Sequence, residues 1–280
     1  MIELGKMNRL KVVKEVDFGC YLDGGEEHGE ILLPKCYVPK GCKVGDEIEV
    51  FLYLDHDERL VATTLTPLVQ VGEFACLEVA WVNQYGAFLH WGLMKDLFCP
   101  FREQKERMVK GNRYVVYVKV DEESYRIMAT AKVEKYLSPS RPPYKHGDEV
   151  DLLVWQKTDL GFKVIVDNRY MGMVYDKQLF RPLYKGDRLK GYIDHIRMDK
   201  KIDVTIQRTG RQQTLDFSSI LLHYLQEHGG HCHLCDKSDA AEIAMVFKVS
   251  KKTFKKAVGD LYKQRLITIA DNGITLTHPE

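Results

Sequence analysis

Two short segments of this chain place aromatic side chains in a pattern that suits nucleobase stacking. Phe18 and Tyr21 lie three residues apart around a glycine, and Tyr85 and Phe88 repeat the arrangement. The glycine permits a bulge, so that side chains three apart face the same way on a strand. Rings so placed stack on unpaired bases, each contributing roughly 1–3 kcal/mol. The alternative is that these rings are packed in a core, and their recurrence favours a binding role.

A second cluster, HCHLC at residues 231–235, contains two histidines and two cysteines. A zinc site normally needs a second, distant pair of ligands to complete a tetrahedron, and the sequence offers none. The chain also lacks a phosphate-binding loop, a dinucleotide fingerprint, a nucleophile elbow and a paired carboxylate motif. We therefore predict a protein that is not an enzyme, with no catalytic residues, no metal and no cofactor.

The composition is typical of a globular protein. The chain has 280 residues, of which 45% are apolar and 29% charged. No apolar run is long enough for a membrane span, and the seven cysteines without an export signal indicate reduced thiols, so we expect a cytoplasmic protein. The formal net charge is only +1, so any affinity for nucleic acid must come from local basic patches.

An internal repeat indicates the elements that would position the aromatic pairs. Both aromatic segments are echoed more loosely by LGFKV at residues 160–164, and segments beginning VGDEIEV, KGNRYVV and KGDRLKG follow the three of them. Ile48, Val50, Leu52 and Leu54 occupy alternate positions, the period of a half-buried strand. About seventy residues with roughly five strands suit a small closed barrel of the OB type.

These patterns predict a mostly β chain with a small α/β C-terminal part. A proline-rich linker at residues 137–147 separates the second and third units. We expect three tandem OB-fold barrels at residues 1–66, 67–139 and 140–207, followed by a winged helix-turn-helix domain at residues 210–280.

The C-terminal domain is predicted from three helical patterns and a hairpin. The first helix has an apolar stripe that includes Phe217 and Ile220, and a second, short helix begins at Ser238 or Asp239. Ser250 is the expected N-cap of the third helix, whose buried face would contain Phe254, Ala257, Val258 and Leu261. Asn272-Gly273 is typical of a hairpin turn.

Four lysines lie away from the apolar stripe of the third helix: Lys251, Lys252, Lys255 and Lys256. Lysine mainly contacts phosphates, whereas base reading usually uses Arg, Asn or Gln. We predict these lysines as phosphate contacts of low sequence specificity. A sequence-specific DNA-reading helix and a protein-contact module remain the alternatives.

The repeated unit resembles the S1 RNA-binding domain. An aromatic-Gly-x-aromatic segment is followed by a Gly-x-hydrophobic strand and a Gly-Asp strand that ends near Asp and Arg. The segments GFKVIVDNRYMGMVYDKQLF at 161–180 and SKKTFKKAVGDLYK at 250–263 resemble the conserved virulence factor B family. That resemblance implies a cytoplasmic bacterial protein with three such barrels and a terminal winged helix.

The S1 resemblance also implies which further residues accompany the aromatic pairs. It implies an Asp and an Arg on the last strand, although a simple surface turn explains the same residues equally well. Leu32, Lys95 and Tyr175 stand where the S1 pattern has a histidine, and Leu160 and Lys163 stand at the aromatic positions of the third unit. The predicted RNA-binding residues are Phe18, Tyr21, Asp55, Arg59, Tyr85, Phe88, Lys95, Asp121, Arg126 and Tyr175.

Two functions follow as hypotheses. The first is a bacterial regulator of gene expression that binds single-stranded RNA on the barrels through aromatic stacking and basic residues, with no membrane partner. The alternative is a DNA-binding transcriptional regulator that acts through the winged helix.

Overall fold

The computed structural model describes residues 2–55, 57–179, 182–206, 211–247, 249–270 and 273–277. The chain divides into two compact units, residues 1–138 and 139–280. Among the helices so described, none is both long and apolar enough to cross a membrane.

The first unit begins with a closed five-stranded barrel. Its strands are β1 (Met7–Val16), β2 (Gly19–Asp23), β3 (Glu30–Pro34), β4 (Glu47–Leu54) and β5 (Leu60–Thr63), in the order β1-β2-β3-β5-β4. A four-residue helix, α1 (Gly25–His28), connects β2 to β3. All neighbouring strands are antiparallel except β3 and β5, which close the barrel in parallel.

A second barrel with the same connectivity completes the first unit. It consists of β6 (Phe74–Val82), β7 (Gly86–His90), β8 (Leu97–Pro100), β9 (Arg113–Val120) and β10 (Ile127–Thr130), in the order β10-β8-β7-β6-β9. Short 3-10 turns follow β3 at Lys35–Tyr37, β8 at Phe101–Glu103 and β10 at Val133–Tyr136.

The second unit begins with the third barrel. Its strands are β11 (Glu149–Thr158), β12 (Gly161–Val166), β13 (Tyr170–Tyr175), β14 (Arg188–Ile196) and β15 (Ile202–Thr205), in the order β11-β12-β13-β15-β14, with a 3-10 turn at Asp176–Gln178. The prediction of three OB-type barrels is therefore confirmed.

The alternating pattern of the sequence forms the barrel interiors, with one informative exception. Val50 and Leu52 on β4 are fully buried in the core of the first barrel, as the pattern predicts. Phe51, between them, faces the other way and is also fully buried, because it belongs to the core of the second barrel. A residue that alternation assigns to solvent is thus buried by a neighbouring barrel.

The C-terminal part has the predicted winged-helix elements. They are α2 (Arg211–Glu227), β16 (His231–Cys232), α3 (Ala240–Phe247), α4 (Lys251–Lys263), β17 (Ile267–Ala270) and β18 (Gly273–Leu276), with the sheet order β16-β18-β17. Asp239 accepts a hydrogen bond from Ala241 N at the start of α3. The predicted turn residue Asn272 lies outside the described residues, and its neighbour Gly273 pairs with Ala270.

The residues predicted to be buried on α4 are buried in the structure, whereas the prediction for α2 is partly wrong. The Ser250 side chain accepts a hydrogen bond from Thr253 N, so Ser250 is the N-cap of α4 as predicted. The expected α4 residues Phe254, Ala257, Val258 and Leu261 are buried. On α2, Phe217 is buried but Ile220 is exposed, so the predicted stripe is wrong at Ile220.

Candidate nucleic-acid interface

Three aromatic side chains form a continuous strip on the outside of the second barrel. Trp81 on β6 lies opposite Phe88 on β7, which lies opposite Phe98 on β8. The rings of Trp81 and Phe88 stack with centroids 3.7 Å apart and planes 4° apart, and those of Phe88 and Phe98 are 5.0 Å apart. Trp81 is 43% exposed, and the other two rings are half-buried. We call Trp81, Phe88 and Phe98 the aromatic strip.

A β-bulge turns Trp81 towards the outside. The pairing register of β6 with β7 shifts between Val79, which is buried, and Trp81. The sequence indicated a bulge at Gly86, and this detail is wrong. Gly86 instead allows close strand approach, because a Cβ atom there would overlap the Cys99 carbonyl oxygen and lie 2.8 Å from Pro100 Cα.

Tyr85 immediately precedes β7, the central strand of the aromatic strip. The Tyr85 side chain is 65% exposed, and its backbone N–H donates to Asn83 Oδ1 at 2.8 Å. Its carbonyl oxygen accepts a hydrogen bond from Phe101 N at 3.1 Å. The Arg107 guanidinium lies 3.6 Å from the Phe101 ring centroid, so a cation lies near this end of β7.

The predicted pair on the first barrel also comes together. The rings of Phe18 and Tyr21 meet edge to face with centroids 6.3 Å apart, and Phe18 is 58% exposed. Lys14 lies opposite Tyr21 across the same kind of bulge, with its Nζ atom 5.8 Å from the ring centroid. This barrel therefore offers an exposed Phe18 ring and a half-buried Tyr21 ring next to a cation.

Asp55 and Arg59 form an ion pair beside the first aromatic pair. Arg59 Nε donates to Asp55 Oδ2 at 2.9 Å, and Arg59 Nη2 lies 2.8 Å from the same atom. Burial alone would raise the pKa of Asp55, but hydrogen bonds from Arg59 and Asp57 outweigh burial and hold that pKa below its ordinary value. The two residues lie in the β4–β5 loop and not on a strand. Their backbone therefore has the position that the alternative interpretation, a simple surface turn, predicts.

The corresponding residues of the second barrel, Asp121 and Arg126, have different partners. Asp121 accepts a hydrogen bond from the Ser124 hydroxyl at 2.8 Å and one from Arg102 at 3.3 Å. The Arg126 guanidinium forms an ion pair with Glu58, which belongs to the first barrel. Arg102, not Arg126, is therefore the arginine that pairs with Asp121.

The strand register corrects two predicted equivalences. Leu32, Phe98 and Met173 occupy the same position, because each pairs antiparallel with the second strand and in parallel with the fifth strand of its barrel. The placement of Lys95 and Tyr175 at the histidine position of the S1 pattern is therefore wrong. An aromatic residue, Phe98, stands there in the second barrel.

Lys95 connects the two barrels of the first unit. It precedes β8, and its Nζ atom donates hydrogen bonds to the carbonyl oxygens of Leu54 at 3.0 Å and Asp55 at 2.9 Å. Burial lowers the pKa of Lys95, although attraction to the Asp55 carboxylate acts in the opposite direction. Because its ammonium group is bound to backbone oxygens, we leave Lys95 out of the proposed RNA contacts.

The third barrel lacks the aromatic strip. Gln156, Lys163 and Met173 occupy the positions of the three strip residues. Tyr175, at the end of β13, lies instead next to an ion pair of Arg197 and Asp203. Arg197 Nη2 is 2.8 Å from Asp203 Oδ1, and the Tyr175 hydroxyl oxygen is 3.4 Å from the same atom.

The predicted lysines of α4 lie mostly in solvent. Lys252, Lys255 and Lys256 are exposed on the side away from the buried face of the helix. Lys251 is half-buried, and its Nζ atom is 3.5 Å from the Lys237 carbonyl oxygen. The arrangement permits phosphate contacts along α4.

Comparisons with known families agree with this architecture. The S1 domain model matches residues 4–65, and the model of the CvfB-like winged helix domain matches residues 219–276. The first barrel is therefore similar to S1 domains, and the C-terminal part is similar to CvfB-like winged-helix domains. The resemblance to the conserved virulence factor B family is confirmed. Both domain types support nucleic-acid binding, and neither is an enzyme domain.

The chain is similar to several proteins over most of its length. YitL of Bacillus subtilis is 26% identical over 97% of this chain and 92% of its own length. Conserved virulence factor B of Staphylococcus aureus strain N315 is 23% identical over 84% of this chain and 81% of its own length. A crystal structure described as a multidomain protein with nucleic acid binding domains from Streptococcus pneumoniae is 23% identical and covers 98% of both chains, with a TM-score of 0.45.

The cluster at residues 231–235 of the CvfB-like domain is a packed strand and turn. His231 Nδ1 lies 3.1 Å from the Thr275 hydroxyl oxygen, His233 lies 3.4 Å from Glu242, and both cysteines are buried. Within the described part of the chain, no group of three or more His, Cys, Asp or Glu side chains is arranged to hold a metal ion.

Sequence reasoning missed two residues of the aromatic strip, Trp81 and Phe98. Both belong to strands that flank Phe88, and both lie at positions that face outward. An alignment that matched the third strands of the first two units would have found Phe98. Phe98 directly follows the buried Leu97, just as Leu32 directly follows the buried Ile31. Trp81 depends on the bulge, which no residue pattern indicated.

Proposed function

We propose that this chain is a bacterial regulator of gene expression that binds single-stranded RNA on its first two barrels. The observation that supports this proposal most strongly is the aromatic strip. Phe88 contacts Trp81 on one side and Phe98 on the other, and Trp81 is 43% exposed. Stacking on such a surface requires unpaired bases, because a duplex covers the faces of its own bases.

The surroundings of the aromatic rings favour a nucleic-acid ligand over a purely apolar one. Cationic side chains accompany the aromatics on both barrels: Lys14 and Arg59 on the first, and Arg107 on the second. Cations that follow phosphates beside rings that stack on bases are the usual combination in single-strand binding. The packing interpretation fits Phe88 and Phe98, which are half-buried, but does not account for the 43% exposure of Trp81.

Intrinsic fluorescence tests the proposal directly. The chain has three tryptophans, and Trp91 and Trp155 are buried, so Trp81 is the one that a stacked base would quench. We expect a pyrimidine-rich RNA of about 12 nucleotides to quench the fluorescence as it binds. Trp81→Phe should retain binding, measured by anisotropy of a labelled RNA, and lose the quenching. Binding without quenching in the wild-type protein would contradict a role for the strip.

A comparison of nucleic acids separates RNA from DNA. The same sequence is titrated as single-stranded RNA, single-stranded DNA and duplex DNA over a salt series, because phosphate contacts weaken with salt whatever the sequence. The proposal requires single-stranded RNA to bind most tightly at about 0.15 M salt. A preference for duplex DNA would contradict the proposal.

The exposed lysines of α4 favour one second candidate, a DNA-binding regulator. Lys252, Lys255 and Lys256 form a basic stripe on the helix that enters the major groove in related folds. If α4 contacts duplex DNA, replacing Lys251 and Lys255 by alanine should reduce the salt slope by about one for each phosphate that a lysine neutralised. Lys110→Ala on the second barrel, also exposed, is the matched control.

A further inference from the structure

The first two barrels meet where one loop of the first barrel contacts two loops of the second. The β4–β5 loop of the first barrel lies against the second barrel, where Lys95 Nζ donates to the carbonyl oxygens of Leu54 and Asp55. On the same loop, Glu58 forms an ion pair with Arg126. Two basic residues of the second barrel thus hold one loop of the first.

Hydrophobic packing and backbone hydrogen bonds strengthen this junction. Phe51 of the first barrel meets Trp91 of the second edge to face, with ring centroids 5.6 Å apart, and both are buried. Gly5 N donates to Leu52 O at 2.8 Å, and Val71 N donates to Gly5 O at 2.9 Å. Because the two barrels share a core, each fixes the position of the other.

Contacts lead from the junction to the aromatic rings on both sides. In the second barrel, Asp96 follows the junction lysine and accepts a hydrogen bond from Trp81 Nε1 at 3.0 Å. In the first barrel, Asp55 holds Arg59. Tyr21 lies opposite Leu32 on β3, and Leu32 pairs with Val61 on β5, two residues after Arg59.

We infer that the two barrels present one continuous single-strand site, which runs from Tyr21 past Arg59 to the aromatic strip. This inference rests on the proposed function. Arg59 Nε and Nη2 pair with Asp55 and Asp57, and the side chain is 72% exposed, which leaves Nη1 for a phosphate of the nucleotide that crosses the junction. Lys95 is a positioning residue, because it touches no nucleotide and fixes the loop that carries Arg59.

A shared rigid site has a measurable consequence for RNA length. An RNA that is long enough to contact only one barrel gains no affinity from the junction. An RNA that contacts both barrels binds the surface of the second barrel at a high effective concentration, because the barrels are already held in position. Affinity should therefore rise steeply once the RNA is long enough to engage both surfaces, and this rise should depend on Lys95.

The experiment measures the affinity of the full chain for pyrimidine-rich RNAs of about 4 to about 12 nucleotides. For the wild-type protein we expect a gain of roughly tenfold or more between the shortest and the longest RNA. Lys95→Met removes the ammonium group and keeps most of the side-chain length. It should abolish most of the gain and leave the affinity for the shortest RNA unchanged. Lys110→Met, which makes the same charge change at an exposed site, should keep the gain.

A second variant covers the case in which Lys95→Met disturbs folding. Glu58→Gln weakens the ion pair with Arg126 at the same junction and removes no aromatic ring. It should also reduce the gain with long RNA and leave binding of the shortest RNA intact, a dependence on length that loss of folded protein does not produce. A gain that survives unreduced in Glu58→Gln, or in folded Lys95→Met, would overturn the inference and leave the proposed function standing. If RNA of no length binds, the proposed function fails and the inference fails with it.

Discussion

The indole ring of Trp81 lies flat on the phenyl ring of Phe88, with 3.7 Å between their centroids. A hydrogen bond from Trp81 Nε1 to Asp96 Oδ2 at 3.0 Å holds the edge of the indole. Because neighbouring groups restrain the ring in this way, little side-chain entropy remains to be lost when a base stacks on its open face. The aromatic strip is therefore pre-organised for binding.

We expect Tyr85→Ala and Phe88→Ala each to weaken binding of a short pyrimidine-rich RNA by roughly 1–3 kcal/mol. The first variant removes an exposed ring, and the second removes the ring on which Trp81 lies. The salt slope should change little, since neither side chain neutralises a phosphate. Titrations followed by fluorescence anisotropy measure both quantities. Tyr184→Ala, which removes an exposed ring on the third barrel, is the matched control and should bind normally.

Thermal melts must accompany these titrations, because Phe88 is half-buried and its loss also affects packing. A variant that melts normally and binds weakly supports stacking. If both variants melt normally and bind RNA as tightly as the wild-type protein, stacking at these two residues is excluded.

Phe51→Ala should destabilise the first unit by roughly 3–5 kcal/mol, because it opens a cavity in the core that the first two barrels share. Urea unfolding of the full chain, followed by near-ultraviolet circular dichroism, measures the change. Val44→Ala is the control on the same barrel, since Val44 is exposed and its loss should change stability by at most about 0.5 kcal/mol. A loss equally small for Phe51→Ala would show that the two barrels do not depend on each other.

The stability of the first unit should fall in acid. The pKa values of Asp55 and Asp121 lie below the ordinary 3.8, so the folded state favours both carboxylates in their charged forms. Their contribution is complete above the unfolded-state pKa and is lost as the pH falls through the lower folded-state pKa. Urea unfolding at pH 7, 4 and 3 should show this loss. Asp55→Asn should reduce the difference in stability between pH 7 and pH 3, and an unchanged difference would contradict the assignment of Asp55.

Cysteine reactivity should follow burial. Burial raises the pKa of the Cys99 thiol to about 12, so almost no reactive thiolate is present near neutral pH. Cys36 is exposed and should be alkylated first, whereas Cys99 should react only after unfolding. Mass spectrometry of peptides after timed alkylation at about pH 8 identifies the order. Modification of Cys99 in the native protein as fast as that of Cys36 would contradict the burial of this thiol.

Limited proteolysis should cut first in the predicted linker at residues 137–147. Arg141 and Lys145 are exposed there, and the boundary between the two compact units lies at residues 138 and 139. We expect trypsin to release two stable fragments before it degrades any barrel. Protection of this segment while a barrel strand is cut would contradict the predicted boundary between the second and third barrels.

The sequence by itself determined the local structure of this protein. Alternating apolar residues such as Val50 and Leu52 specify strands with one buried face, and Ser250 followed by the spacing of Phe254 and Leu261 specifies a capped amphipathic helix. Each of these features depends on neighbours within a few residues, so a repeated pattern was sufficient to predict three barrels and a winged helix. The aromatic pairs were visible for the same reason.

Tertiary structure decided which side chains meet. Trp81 joins Phe88 only because β6 is bulged, and Phe98 joins them through strand pairing that residue spacing does not specify. Phe51 is buried and Lys95 is bound to backbone oxygens because a second barrel lies against the first. Such contacts join residues that are distant in the chain, and their free energy depends on the arrangement of whole strands and barrels rather than on the residues nearby in sequence.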